Sequence, residues 1–378
     1  MSSGMSNSRV ELDDETKKDL FEAFDDLNQE FEVSLNKLLR QWDDEQVHCL
    51  FRAIHNIKGN AGILQVSLVV EFTHEVEEVV GALRRKQFQL TDAIVETLLI
   101  AMDRLNDLHQ QELYGRHFEH LRIDELKVLY HAMSLAENDE ANGISLQILQ
   151  FLGAGIVDAN VDLFLDTKKE PVVHIEPLAT GNPEDKRALD LVFFQELALQ
   201  LDNQVEHWFG RSIQLFDWAM KMNRIAGSPV DSEQFAAAIY LHDIGMSLVP
   251  RECWHLKLDV NDDELDDIKR HPDWGYQYLV RIPGWEEAAT IIYEHHERTD
   301  GSGYPRGLQG REIHAGAKIL AILDAFFHLT NGAVDASARK STVRAVSTIN
   351  AHIDSEFEGL WVQCFNHMIR SELKAGNI

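Results

Sequence analysis

Two adjacent histidines, His295 and His296, stand inside the run Glu294-His295-His296-Glu297-Arg298-Thr299-Asp300-Gly301-Ser302-Gly303-Tyr304-Pro305. Imidazoles flanked by carboxylates are metal-ligand chemistry. The Gly-x-Gly that follows lets backbone approach a ligand, and Tyr304-Pro305 holds a ring still beside it. Taken alone, the run also reads as a helix that ends in polar residues and passes into a loop. Other groups in the same half of the chain favour a metal. His242-Asp243 closes the apolar run Phe235 to Tyr240 and offers a nitrogen ligand next to a carboxylate able to bridge two cations. His271 stands between Arg270 and Pro272, and Asp324 lies in the apolar stretch Ile319 to Phe326. A carboxylate there is costly to bury unless it is paired or metal-bound.

A second kind of chemistry sits near the other end. In Arg52-Ala53-Ile54-His55-Asn56-Ile57-Lys58-Gly59-Asn60-Ala61, His55 lies off the apolar stripe Val47, Leu50, Phe51 and Ile54, so it should face solvent. Lys58 shares its face, and Gly59 leaves room for a partner to approach. A neutral imidazole nitrogen is a good phosphoryl acceptor, and an ammonium beside it would steady the product. An isolated surface histidine is the plainer alternative.

The elements that must position these groups are helical. Four apolar stripes keep helical spacing: Leu20 to Leu38, Val47 to Ile54, Leu68 to Leu83, and Ile94 to Leu105. Breaks are expected at residues 41–44, 59–62 and 87–92, with Asp43 and Thr91 as N-caps. Short loops between four helices imply an antiparallel bundle over residues 12–113. From 114 to 183 the signal weakens. Leu121 to Ala136 and Ile144 to Leu152 read as helices, with Glu137 to Glu140 as a turn, and the stretch is expected to be a helical connector. Residues 184–378 return to helical periodicity, so the whole chain is expected to be all-α.

Composition narrows the partners. The chain has 378 residues, 63 acids against 35 bases, a net charge of −28, and 44% hydrophobic residues. So acidic a surface repels nucleic-acid polymers and anionic lipid. A phosphate ligand would need metal ions to neutralise the local field, and eighteen histidines are there to hold them. No apolar run is long enough to span a bilayer, and Met1 to Val10 has no signal-peptide core, so no membrane insertion is expected. Cys49, Cys253 and Cys364 show neither disulfide nor metal spacing, which suits a cytoplasmic protein.

The motif His55-Asn56-Ile57-Lys58-Gly59, within residues 12–110, resembles the histidine phosphotransfer (HPt) domain of bacterial phosphorelays. The helix carrying Glu75, Glu77 and Glu78 and then Arg84-Arg85-Lys86 is similar to that family too. The resemblance implies that His55 accepts a phosphoryl group from the aspartate of a receiver domain, in a response regulator or a hybrid kinase, with Lys58 and Gly59 supporting.

Residues 188–350 resemble the HD-GYP phosphodiesterases, helical enzymes that hydrolyse cyclic di-GMP. His242-Asp243-Ile244-Gly245, His271 with Gly275, the run from His295 to Pro305, then Gly307-Leu308, Gly310, Ile313 and Asp324 carry it. The resemblance implies His242, Asp243, His271, His295, His296 and Asp324 as metal ligands, with His207 as a further one. It implies two or three divalent ions, iron or manganese, with Asp243 bridging and with Asp243 and His242 at the catalytic centre. Gly303, Tyr304, Pro305 and Lys318 are the implied substrate contacts.

Three departures stand out. Met246 replaces the family's usual lysine. The basic run expected after Asp324 is Thr330-Asn331-Gly332-Ala333-Val334-Asp335. His207-Trp208-Phe209-Gly210-Arg211 is one residue out of step with the family's His-x-x-Arg. The expected function is phosphorelay-regulated hydrolysis of cyclic di-GMP. The alternative is a degenerate domain that acts as a nucleotide-responsive or protein-docking module.

Overall fold

The structure, a computed structural model, describes residues 14–63, 66–153, 186–205, 208–254, 262–331 and 339–378. The chain divides into two compact units, residues 1–164 and 165–378. Among the described residues there is no sheet, only the isolated bridges Asp300–Gln309 and Ile353–Phe357, and the all-α expectation holds.

In the first unit, α1 (Asp14–Arg40), α2 (Asp44–Ile63), α3 (Ser67–Arg84) and α4 (Asp92–Tyr114) form the bundle. Phe24, Phe31, Leu35 and Leu38 of α1 meet Val47, Leu50 and Ile54 of α2 in one core with Phe72, Val76, Val79 and Leu83 of α3. Thr91 caps α4, its hydroxyl accepting from the Ile94 N–H at 3.3 Å. The Asp43 carboxylate likewise accepts from the Glu45 N–H at 2.9 Å.

The break expected at residues 59–62 is absent. Helix α2 runs through Gly59 and Gly62 to Ile63. Both glycines sit in open space. Packing of α2 on α1 and α3 overrides the roughly 1 kcal/mol that each glycine costs a helix.

Helix α4 is buried nearly all round, more than a four-helix bundle requires. Its second face is covered by α6 (Asn138–Leu152), while α5 (Ile123–Leu135) packs on α3. The helical part of the expected connector therefore adds two helices to the bundle. Helix α6 begins at Asn138, six residues earlier than its apolar spacing suggested, because Asp139 and Glu140 suit a first turn, where backbone N–H groups point outward. The expected boundary at residue 183 lies outside the described residues.

In the second unit, α7 (Lys186–Asp202) packs on α9 (Ser232–Leu241), which also carries α8 (Arg211–Ile225) and α12 (Glu286–Glu294). Helices α10 (Asp262–Lys269) and α11 (His271–Leu279) lead up to α12. Helix α13 (Ala315–Asn331) lies between α8 and the terminal pair α14 (Thr342–Ala351) and α15 (Gly359–Ala375). Phe235 to Leu241 are buried without exception, so α9 is a central rod, and His242-Asp243 sits at its end.

The fully buried Tyr130 of α5 donates its hydroxyl to the Thr97 carbonyl of α4 at 2.6 Å. Replacing Tyr130 with Phe removes that hydrogen bond. It should lower the stability of the N-terminal unit by about 1–2 kcal/mol in chemical denaturation of the full chain.

Candidate functional site

Helix ends build the centre of the second unit. The last carbonyls of a helix have no partner within it, and a following imidazole can supply one. His242 donates its Nδ1–H to the Ile239 carbonyl at 2.7 Å, His271 to Ile268 at 2.7 Å and His295 to Ile292 at 2.6 Å. In each case the partner lies three residues back. The consequence is chemical: all three rings turn a bare Nε2 inward. Nε2 of His271 and Nε2 of His295 face each other at 3.3 Å. Two lone pairs at that distance repel unless a cation lies between them.

The surroundings keep His242, His295 and His296 neutral. Burial, with help from His271 and His242, lowers His295 to about 3. Burial, with help from His295 and His271, holds His296 well below its ordinary value. Burial also lowers His242. Asp243 is the anion among them, its Oδ1 3.2 Å from His271 Nε2 and 3.9 Å from His295 Nε2. Burial alone would push Asp243 up, but the Arg211 guanidinium helps to hold it well below the usual carboxylate range. Asp243, His271, His295 and His296 each place one donor atom within 4.8 Å of the others, a set able to hold a divalent ion.

His242 and Asp324 point elsewhere. Both face the guanidinium of Arg211, the first residue of α8, which the sequence reading left out of the site. Nη1 of Arg211 donates to Asp243 Oδ2 at 2.6 Å, and Nη2 to His242 Nε2 at 2.9 Å and to Asp324 Oδ1. Burial alone would raise Asp324, but His328, whose Nε2 is 3.5 Å from Oδ1, and Arg211 hold it below the usual carboxylate range. Apart from its break in register, nothing about Arg211 in the sequence distinguished it from an ordinary surface arginine. His207 lies outside the described residues, as do residues 332–338 of the stretch after Asp324.

The glycine-rich run folds back over the histidines. A Cβ on Gly303 would lie 2.3 Å from the Arg298 nitrogen and 2.5 Å from the Glu297 Cα, so only glycine lets the chain pass. The Tyr304 N–H then donates to the His296 carbonyl at 3.1 Å, and the two rings stack with centroids 4.9 Å apart. Burial raises the Tyr304 phenol, which therefore keeps its proton at neutral pH. Gly245 permits the other close approach: a Cβ there would sit 2.1 Å from the His271 carbonyl oxygen.

The acids of this run do not join the cluster. Glu297 accepts the N–H groups of Arg306 at 2.6 Å and Leu308 at 2.8 Å. Glu294 accepts that of His314 at 2.7 Å. Both acids secure the loop. Lys318 is committed to Glu358 at 2.6 Å, and Met246 is buried.

In the first unit, His55 is exposed on α2, as its position off the stripe required. Its Nδ1–H donates to Glu77 Oε1 at 2.7 Å, and Lys58 donates to the other oxygen of Glu77. One buried acid on α3 thus fixes the tautomer of His55 and leaves Nε2 bare toward solvent. The sequence showed Glu77 among three acids; packing of α2 on α3 selects it.

Comparison with known proteins agrees with both halves. Residues 18–108 match the Hpt domain family, and residues 197–359 match the HD domain family. A 3'3'-cGAMP-specific phosphodiesterase 1 of Vibrio cholerae is 33% identical over 168 residues, 42% of this chain and 38% of that one. A cyclic di-GMP phosphodiesterase of Thermotoga maritima is 41% identical over 95 residues, a quarter of each chain. A chemotaxis protein CheA of Cereibacter sphaeroides is 33% identical over 135 residues, 36% of this chain and 19% of that one. The chain thus spans about two fifths or less of these relatives' lengths.

Two outcomes are expected from these contacts. Glu297→Gln leaves one of two buried N–H groups without its anion and should cost about 1–3 kcal/mol in thermal unfolding of the C-terminal unit. Burial pushes Glu77 up, yet the hydrogen bonds from Lys58 and His55 outweigh it and hold the group below 4.5. Its stabilisation is therefore present above pH 4.5 and lost as pH falls through the lowered folded-state value. Acid titration of the N-terminal unit should show that loss, and Glu77→Gln should remove it.

Proposed function

Since residues 18–108 are an Hpt domain and residues 197–359 an HD domain, we propose that this protein hydrolyses a cyclic dinucleotide under the control of a phosphorelay. The observation that carries the reading is the convergence of Asp243, His271, His295 and His296, with bare nitrogens and one carboxylate within 4.8 Å. The donor set fits a divalent ion, iron or manganese by ligand type. Arg211 offsets one of the two carboxylates Asp243 and Asp324, and one net negative charge remains for such an ion to neutralise. When bound, the ion would supply Lewis acidity toward a phosphodiester and activate water.

The chain's own residues do the rest. Asp243, His271, His295 and His296 hold the charge centre in place. Tyr304, stacked on His296 and keeping its proton, can donate to a phosphate oxygen or face a base. Gly303 brings backbone close to the same place. Two of the relatives are named for cyclic di-GMP or 3'3'-cGAMP, and a cyclic dinucleotide of that class is the proposed substrate.

His55 is the proposed input. Its Nε2 attacks the phosphorus of an aspartyl phosphate on a receiver domain; the N–P bond forms, the acyl O–P bond breaks, and the carboxylate leaves. Glu77 orients the ring and can take up positive charge that builds at Nδ1–H. Both partners of this reading are cytoplasmic, and we place the protein there.

A second reading has its own support. Arg211 holds His242 and Asp324, and buried Met246 replaces the lysine, so the domain would bind a cyclic dinucleotide without turning it over.

Assays of manganese-loaded full-length protein on cyclic di-GMP and 3'3'-cGAMP separate the two. Turnover that falls at least a hundredfold in His295→Ala supports the hydrolase; binding without turnover on either nucleotide supports the module. Phosphoryl transfer from a phosphorylated receiver should be abolished in His55→Gln and slowed about tenfold or more in Glu77→Gln.

A further inference from the structure

Arg211 sits where a second cation would. Three acceptors of the kinds that bind metals converge on it: a carboxylate oxygen of Asp243, a carboxylate oxygen of Asp324 and the bare Nε2 of His242. The guanidinium is 1% exposed. Three of its five N–H groups are taken up by these acceptors.

Its placement is fixed from behind. Gly210, at φ +75°, turns the chain into α8, and the Asp202 carboxylate accepts both the N–H and the hydroxyl of the next residue, Ser212, at 2.8 and 2.9 Å. The Trp208 ring lies 4.6 Å below the guanidinium carbon, a cation–π contact that suits a permanent charge. Asp243 and Asp324 hold Arg211 firmly in its charged form despite burial.

We infer that the Arg211 guanidinium replaces one metal ion of the centre, so that the C-terminal domain takes a single divalent ion beside a built-in organic cation. Resting on the metal reading above, this assigns the acceptors to two places. Oδ1 of Asp243 with His271, His295 and His296 belongs to the ion. Oδ2 of Asp243 with His242 and Asp324 belongs to Arg211. The Asp243 carboxylate is the bridge between an exchangeable cation and a covalently tethered one. A guanidinium neutralises charge but neither accepts an oxygen lone pair nor acidifies water, so one of the two usual metal roles is removed from this chain.

The test is metal content, read apart from activity. Full-length protein is stripped with chelator, reloaded with manganese alone, desalted and measured by mass spectrometry of the metal. Wild type should hold about one ion per chain, His295→Ala almost none, and Asp324→Asn the same as wild type, since Asp324 serves Arg211. Arg211→His withdraws the fixed cation, supplies a neutral nitrogen and should raise the count to about two. Two ions in wild type, loss of the ion from Asp324→Asn, or an unchanged count in folded Arg211→His overturns the inference and leaves the hydrolase reading standing. No manganese in wild type or in Arg211→His overturns both. Should Arg211→His not fold, the wild-type count and Asp324→Asn still decide.

Discussion

Two ionised carboxylates, Asp243 and Asp324, are buried at the meeting point of α8, α9 and α13. Taking such charges out of water costs several kcal/mol each unless a cation meets them. Arg211 meets both, and the rest of the C-terminal unit is arranged so that it can. Helix α8 begins where it does because Gly210 turns and Asp202 caps. The N-terminus of α8 faces the end of α9 because Phe235 to Leu241 are buried on every side. Removing one partner from a buried pair of this kind costs about 3–5 kcal/mol, so the contact is a structural constraint as much as a chemical one.

The three inward-turned imidazoles follow a common rule. Each stands at or just past a helix end and gives its Nδ1–H to a carbonyl three residues back. The orphan groups of helix termini, ordinarily a cost, orient the ligands here. Gly245 and Gly303 then let two strands of backbone pass at distances no other residue permits, bringing α11 against the end of α9 and the loop over His296. Glu294 and Glu297 hold that loop by accepting backbone N–H groups, so the acidic character of the run goes into shape.

The first unit uses the same economy on a smaller scale. One buried acid, Glu77, serves a lysine and a histidine from the neighbouring helix. Its charge is tolerated because both partners donate to it. The exposed nitrogen of His55 is thereby left as an acceptor without any further group being needed at the surface.

Much of this was legible in the sequence. Helical periodicity with few prolines and glycines dictated an all-α chain, and the stripe of α2 required His55 to be exposed. A histidine or acid inside an apolar run has to find a partner, which made His242, Asp243 and Asp324 visible as a group. What the sequence left open was which partner each would find, because partners come from elements far apart along the chain. Arg211 stands 32 residues before Asp243 and 113 before Asp324, and Glu77 lies 22 after His55. Periodicity reports which face of a helix is buried; it carries no information on which helix will cover it. Helix packing decided those pairings. With them it decided that an arginine, rather than open space, faces half of the buried acceptors.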